Sequence, residues 1–207
     1  MGLFNVLAGD APEEGRMGDS SLGPVSAAAD DPDRDMRLAE AAKDDPQAFA
    51  ELYEVYYPRV YRYIYHRLRH PADAEDVTGL VFMKALEGLP RYSSGGSFAP
   101  WLFRIARNSL IDHYRKQRGG GNPDRLEYLL DDADPENDAI RDEQRRELAR
   151  LIDRLTPDQR DVILLRYASE LSFSEISEIT RKREAAVRML MHRALRRLKM
   201  VMEYEQA

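Results

Sequence analysis

The chain has 207 residues and no cysteine, with 33% charged residues, 43% hydrophobic residues and a formal net charge of −6. That length suits one or two small domains with modest cores; the lack of cysteine excludes a disulfide scaffold and a thiolate metal site and fits a reducing cytoplasm. No apolar run approaches the roughly 20 residues of a membrane span, and Met1 to Ala8 lacks the basic flank and full apolar core of an export signal.

The net charge divides unevenly along the chain. Residues 1–45 carry −7, 46–118 carry +4, 119–143 carry −7 and 144–207 carry +4. Two basic blocks are thus preceded and separated by acidic ones. An acidic chain can hold phosphates locally, because exposed charges are screened beyond about 8 Å at physiological salt.

In chain order, residues 1–45 are rich in Gly, Ala, Asp and Pro and are expected to be a disordered acidic extension, with a helix starting near Met36. Asp45-Pro46 reads as an N-cap followed by proline at the first helical position, leading into Phe49, Leu52, Tyr53 and Tyr56. Pro58 is expected to break or kink that helix, with a second running through Val60, Ile64, Arg67 and Leu68. A third starts at Pro71 and continues to about Gly88, and Ser97 caps a fourth over 98–118. Residues 119–143 open with Gly119-Gly120-Gly121-Asn122-Pro123 and run on through a cluster of aspartates, the pattern of a flexible acidic linker. Thr156-Pro157-Asp158-Gln159 and Ser172-Phe173-Ser174-Glu175 are capping boxes, each marking a helix start. Strand-like alternation is missing throughout, so the fold expected is all-α: two small helical domains, 46–118 and 144–207, joined by the linker.

Two short helices, Thr156 to Tyr167 and Ser172 to Thr180, precede a longer one from Glu184 to about Met200, the spacing of a helix-turn-helix. On a helical projection Val187, Leu190, Met191, Ala194, Leu195 and Leu198 share one stripe. Arg188, Met189, His192, Arg193, Arg196, Arg197 and Lys199 fall opposite, a cationic face suited to duplex DNA. Within it, Met189 could meet a thymine methyl.

The fourth helix projects in the same manner. Phe98, Trp101, Leu102, Ile105, Ala106 and Ser109 form the buried side, and Arg104, Arg107, Asn108, Ile111, Tyr114 and Arg115 share the other. Arginines interleaved with an aromatic and an amide suit an unpaired strand, with cations on phosphates, a stacking ring and an amide for a base edge. The preceding loop, with Tyr92, Ser93 and Ser94, offers small hydroxyl residues that could form a pocket for one unstacked base.

These residues resemble a known family. Asp73-Ala74-Glu75-Asp76-Val77 with Phe82, then Phe98 and Trp101-Leu102-Phe103-Arg104-Ile105-Ala106-Arg107-Asn108, are similar to the second conserved region of bacterial RNA polymerase sigma factors of the extracytoplasmic-function (ECF) group. Leu155-Thr156-Pro157 with Arg160, Leu164-Leu165-Arg166-Tyr167, Leu171-Ser172-Phe173, Glu175-Ile176 and His192-Arg193-Ala194 resemble their fourth region. The resemblance implies a sigma factor that binds core RNA polymerase, recognises promoter DNA as duplex and single strand, and promotes strand opening without a cofactor. It implies that Asp73, Glu75, Asp76, Val77, Leu80, Phe82 and Met83 face the polymerase clamp coiled coil. Tyr92, Ser93, Ser94, Arg104, Arg107, Asn108, Ile111, Tyr114 and Arg115 would then hold the minus-ten element. The fourth-region domain would sit on the polymerase flap and read the minus-thirty-five element through Arg183, Arg188, Met189, His192, Arg193 and Arg196. An anti-sigma factor is a further partner whose identity the sequence does not carry. Departures from the pattern include Gly79-Leu80 in place of a frequent Gln-Glu, a turn Thr180 to Arg183 without the usual glycine, and Ala185-Ala186 in place of Gly-Thr.

Two other readings compete. His66 and His70 at i, i+4 could clasp a metal, and Asp131, Asp132, Asp134, Glu136 and Asp138 could suggest a nuclease, but a basic helix surface and an acidic linker account for both. No enzyme activity and no metal are therefore expected. A stand-alone helix-turn-helix regulator, the alternative, would leave the first basic block unexplained.

Overall fold

The computed structural model describes residues 32–93, 97–117, 147 and 149–205, and every regular element among them is helical. Helix α1 (Pro32–Ala41) is followed by α2 (Pro46–Leu68), α3 (Pro71–Gly88), a 3₁₀ turn (Leu89–Arg91) and α4 (Phe98–Gln117). After the segment expected as linker, which lies outside the described residues, come α5 (Pro157–Tyr167), α6 (Phe173–Thr180) and α7 (Glu184–Glu205).

Local chemistry sets most helix starts. The Asp45 carboxylate accepts from the Gln47 amide at 2.9 Å, with Pro46 in the first turn of α2. His70 caps α3, its ring Nδ1 accepting from the Asp73 amide; the histidine weighed as a metal ligand has a capping role. Thr156 with Gln159 and Ser172 with Glu175 form complete capping boxes at α5 and α6, each satisfying two backbone donors that the first turn cannot.

Two expectations are corrected. Of the two outcomes expected at Pro58, a break is not found, because α2 runs through it as one helix. The carbonyl left without the Pro58 amide is that of Glu54, and both residues are exposed, so the missing bond falls on the solvent side of the helix rather than in the core. The helix expected near Met36 begins earlier, at Pro32, and is part of the folded unit: α1 packs on α2, with Asp35 buried and accepting from the Tyr56 hydroxyl, and Ala39 and Ala42 in the core.

The first half is a bundle of α2, α3 and α4 with α1 laid on α2. Tyr56, Tyr63, Phe98 and Phe103 are fully buried in it, each contributing about 1.5–3 kcal/mol by apolar burial. Tyr63 meets Phe103 edge to face with ring centroids 5.9 Å apart. In the second half α5, α6 and α7 close on Val162, Leu165, Ile176, Val187, Met191 and Leu198, helped by Leu151 and Ile152 from a short helical stretch at 149–153. The halves are docked, with α4 against α6 and α2 against α5, so that the buried apolar residues form one continuous cluster.

Candidate nucleic-acid interface

Helix α7 keeps its two sides apart. Val187, Met191, Ala194 and Leu198 are buried and Leu190 and Leu195 are half-buried, whereas Arg183, Arg188, Met189, His192, Arg193 and Arg196 are all exposed. Five of the six residues expected to read duplex DNA therefore share the solvent side of α7, Met189 among them with 54% of its surface open, and Arg183 is exposed in the turn just before the helix. The turn into α7 passes through Arg181 at φ 55°, a left-handed position where glycine is the usual choice and a side chain adds strain.

Helix α4 buries Phe98, Leu102, Phe103, Ala106, Ser109 and Leu110 and exposes Arg104, Asn108 and Arg115. Other members of the expected strand-reading set are placed differently. Ile111 is half-buried. So is Tyr114, whose hydroxyl donates to the Arg67 carbonyl at 2.7 Å; burial raises its phenol above the ordinary range, against the pull of the Arg67 charge. Tyr92 is not a surface ring: it is 5% exposed and packs against Phe98 and Trp101. Its edge and Ser93 nonetheless border a cavity of about 350 Å³ with Arg91, Ser97, Trp101, Arg104 and Glu178, ample room for one planar base. A Cβ on Gly88 would come within 3.1 Å of the Trp101 ring, so any larger residue there would have to push the ring aside by a few tenths of an ångström. Ser94 lies outside the described residues.

The charges on α2 and α4 face α5 and α6. Asp161, almost fully buried, takes the Arg67 guanidinium on Oδ1 and Arg107 Nε on Oδ2 at 3.1 Å, with the Tyr63 hydroxyl at 3.4 Å. Burial opposes the Arg67 charge, but the Asp161 carboxylate with Tyr63 and Tyr114 outweighs it and raises that guanidinium. Burial, and then the Asp161 charge, push the Tyr63 phenol up. Around this centre Arg59 Nε donates to the Ser169 carbonyl at 2.8 Å, Arg62 Nε to the Ala168 carbonyl at 2.9 Å, and Arg69 pairs with Asp153 at 2.6 Å. At the rim Arg104 pairs with Glu178 at 3.4 Å.

Helix α3 presents Glu75, Asp76, Leu80 and Met83 to solvent and keeps Asp73 half-buried. Val77 and Phe82, expected on the polymerase-facing surface, are instead core residues at 3% and 4% exposure. Leu86 and Tyr53 are exposed apolar residues as well, and sequence reasoning missed both. The signal was there for Leu86, at the same three-residue step as Leu80 and Met83. Arg67 and Asp161 were missed as well. Both interrupt apolar stripes, Arg67 beside Tyr63 and Ile64 and Asp161 before Val162 to Leu165, and a charge in that setting marks a buried pair.

Comparison with known proteins gives a consistent picture. Residues 52–119 match the model for Sigma-70 region 2 and residues 145–198 that for Sigma-70, region 4. The chain is 35% identical over 182 residues to the ECF RNA polymerase sigma factor BldN of Streptomyces coelicolor, covering 83% of this chain and 67% of that one. It is 29% identical to the ECF RNA polymerase sigma factor SigW of Bacillus subtilis over 76% of this chain and 90% of that one. In fold it is similar to CnrH, solved with the cytosolic domain of CnrY, at TM-score 0.67 and 23% identity, over 83% of this chain and 98% of that one. The sigma factor RpoE of Bartonella quintana, solved with the anti-sigma factor NepR, aligns at TM-score 0.57 and 21% identity, over 76% of this chain and 98% of that one.

Proposed function

The chain belongs to the ECF group of RNA polymerase sigma factors, and from that premise we propose how its residues divide the work. A sigma factor binds core RNA polymerase and directs it to promoter DNA. In our reading the exposed α3 surface of Glu75, Asp76, Leu80 and Met83 docks on the clamp, and the α4 face of Arg104, Asn108 and Arg115 holds the minus-ten strand. The α7 face from Arg183 to Arg196 reads the minus-thirty-five duplex. The observation that carries the α7 assignment is the placement of Arg188, Met189, His192, Arg193 and Arg196 on the exposed side of that helix, opposite the buried stripe. Promoter opening then needs no catalytic group in this chain, because binding of unpaired bases and phosphates offsets the cost of unpairing.

The docked arrangement must open for this to happen. Two promoter elements about 25 base pairs apart are separated by about 85 Å of duplex, while Arg104 on α4 touches Glu178 on α6 at 3.4 Å. Residues 118–148 fully extended could reach about 100 Å, so the chain is long enough to let the halves part. Arg107, paired with Asp161 in the docked form, becomes free for a phosphate once they do.

We also propose that the chain acts in the cytoplasm, where polymerase works; among the described residues no helix is long and apolar enough to cross a membrane. An anti-sigma factor is a further proposed partner, supported by the fold shared with a sigma factor solved together with one. The deciding experiment is reconstitution with core polymerase on promoter DNA. Promoter-specific transcription dependent on the added chain supports the reading, and specific duplex binding without core enzyme would favour a stand-alone regulator instead.

A further inference from the structure

Arg188 differs from the other arginines of the α7 face in being held. Arg183, Arg193 and Arg196 make no ion pair or ring contact with a described residue. The Arg188 guanidinium carbon lies 4.4 Å from the ring centroid of Phe173, and its Nε and Nη2 both donate to Glu184 Oε1, at 3.0 and 2.6 Å. Phe173 is itself anchored. It opens α6 directly after the Ser172 cap, and Arg166 reaches over the same ring at 5.2 Å while donating to the Leu171 carbonyl at 2.8 Å.

The geometry restricts the guanidinium in two ways. The ring limits its displacement, and the carboxylate sets its rotation by occupying the edge formed by Nε and Nη2. What remains is the end-on edge, Nη1 with the second Nη2 hydrogen, which has no partner among the described residues. Two parallel N–H groups on one edge match two adjacent acceptors, and in the major groove O6 and N7 of guanine supply that pair.

We propose that Phe173 is a positioning residue for promoter reading: from a different helix, and without touching DNA itself, it holds Arg188 with its end-on edge ready for a guanine of the minus-thirty-five element. The inference rests on the reading that Arg188 contacts a base. An unheld arginine gives up side-chain freedom on binding; Arg188 has given up much of it before DNA arrives.

The test uses the full chain assembled with core polymerase on a promoter library randomised across the minus-thirty-five element. Arg188→Ala should abolish a guanine preference at one position. Phe173→Leu, which keeps apolar bulk without a π face, should weaken that preference about two- to fivefold, the worth of an exposed cation–π contact, and leave other positions unchanged. Phe173→Tyr should restore it, and the double variant should be no less selective than Arg188→Ala alone. If Phe173→Leu left the preference intact while Arg188→Ala removed it, or weakened all positions equally with a lowered melting temperature, the positioning role would be wrong. If Arg188→Ala altered no preference, the base-reading assignment would itself fall, and this inference with it.

Discussion

Arg107 and Asp161, 54 residues apart, meet where the two halves of the chain dock: the arginine Nε donates to Oδ2 of the buried carboxylate at 3.1 Å, and Arg67 holds the other oxygen. A residue expected on a DNA-reading surface thus pairs with an acid on the other DNA-reading module. The same carboxylate neutralises Arg67, which has only 6% of its side chain open to water.

Replacing Asp161 with Ala leaves the Arg67 charge buried without its counter-ion, so the docked form should lose about 3–5 kcal/mol. Chemical denaturation would read the loss, and small-angle scattering should show an expanded free chain. An unchanged radius and midpoint would show that the pair contributes nothing to docking.

Asn108 is exposed on α4 and makes no side-chain bond with a described residue. Asn108→Ala should reduce promoter opening, seen as weaker permanganate reactivity of unpaired thymines, with polymerase binding unaltered. Tyr114→Phe should behave differently. It removes the bond to the Arg67 carbonyl and should cost about 0.5–1.5 kcal/mol of stability while leaving the ring that could stack on a base.

Met83 is 62% exposed beside Leu80 and Leu86. Covering such a side chain is worth about 1–2 kcal/mol, so Met83→Ser should weaken binding to core polymerase about tenfold with no change in melting temperature. Competition binding against the parent chain measures it; equal affinity would move the docking surface elsewhere.

Met189→Ala should lower transcription only from promoters with thymine at the contacted position, because an apolar side chain distinguishes that base through its methyl group. A promoter library would show the selectivity, and a uniform loss would argue for a packing role.

Arg181 adopts a left-handed backbone at the C-terminus of α6. Relief of the side-chain strain should make Arg181→Gly more stable by about 0.5–1 kcal/mol. Thermal denaturation gives the sign, and destabilisation would mean that the arginine has a stabilising contact in solution.

Helix starts at Pro46, Pro71, Phe98, Pro157 and Phe173, and the two-faced character of α7, could be read from the order of residues alone. A cap is a bond between residues two or three apart, and an amphipathic face repeats every three or four positions; both are written within a short window. Pro58 could not be judged in that way, because its cost depends on whether the Glu54 carbonyl faces water. Nor could the burial of Val77, Phe82 and Tyr92, which sit on helices or turns covered from more than one side. The Asp161 cluster is further still from local rules. It joins Arg67, 94 residues before it, to Arg107, 54 before it, and nothing in a local window says which of many charges will share a buried site. Such pairing arises only when packing of the apolar faces brings distant segments together and removes the water that would otherwise separate their charges.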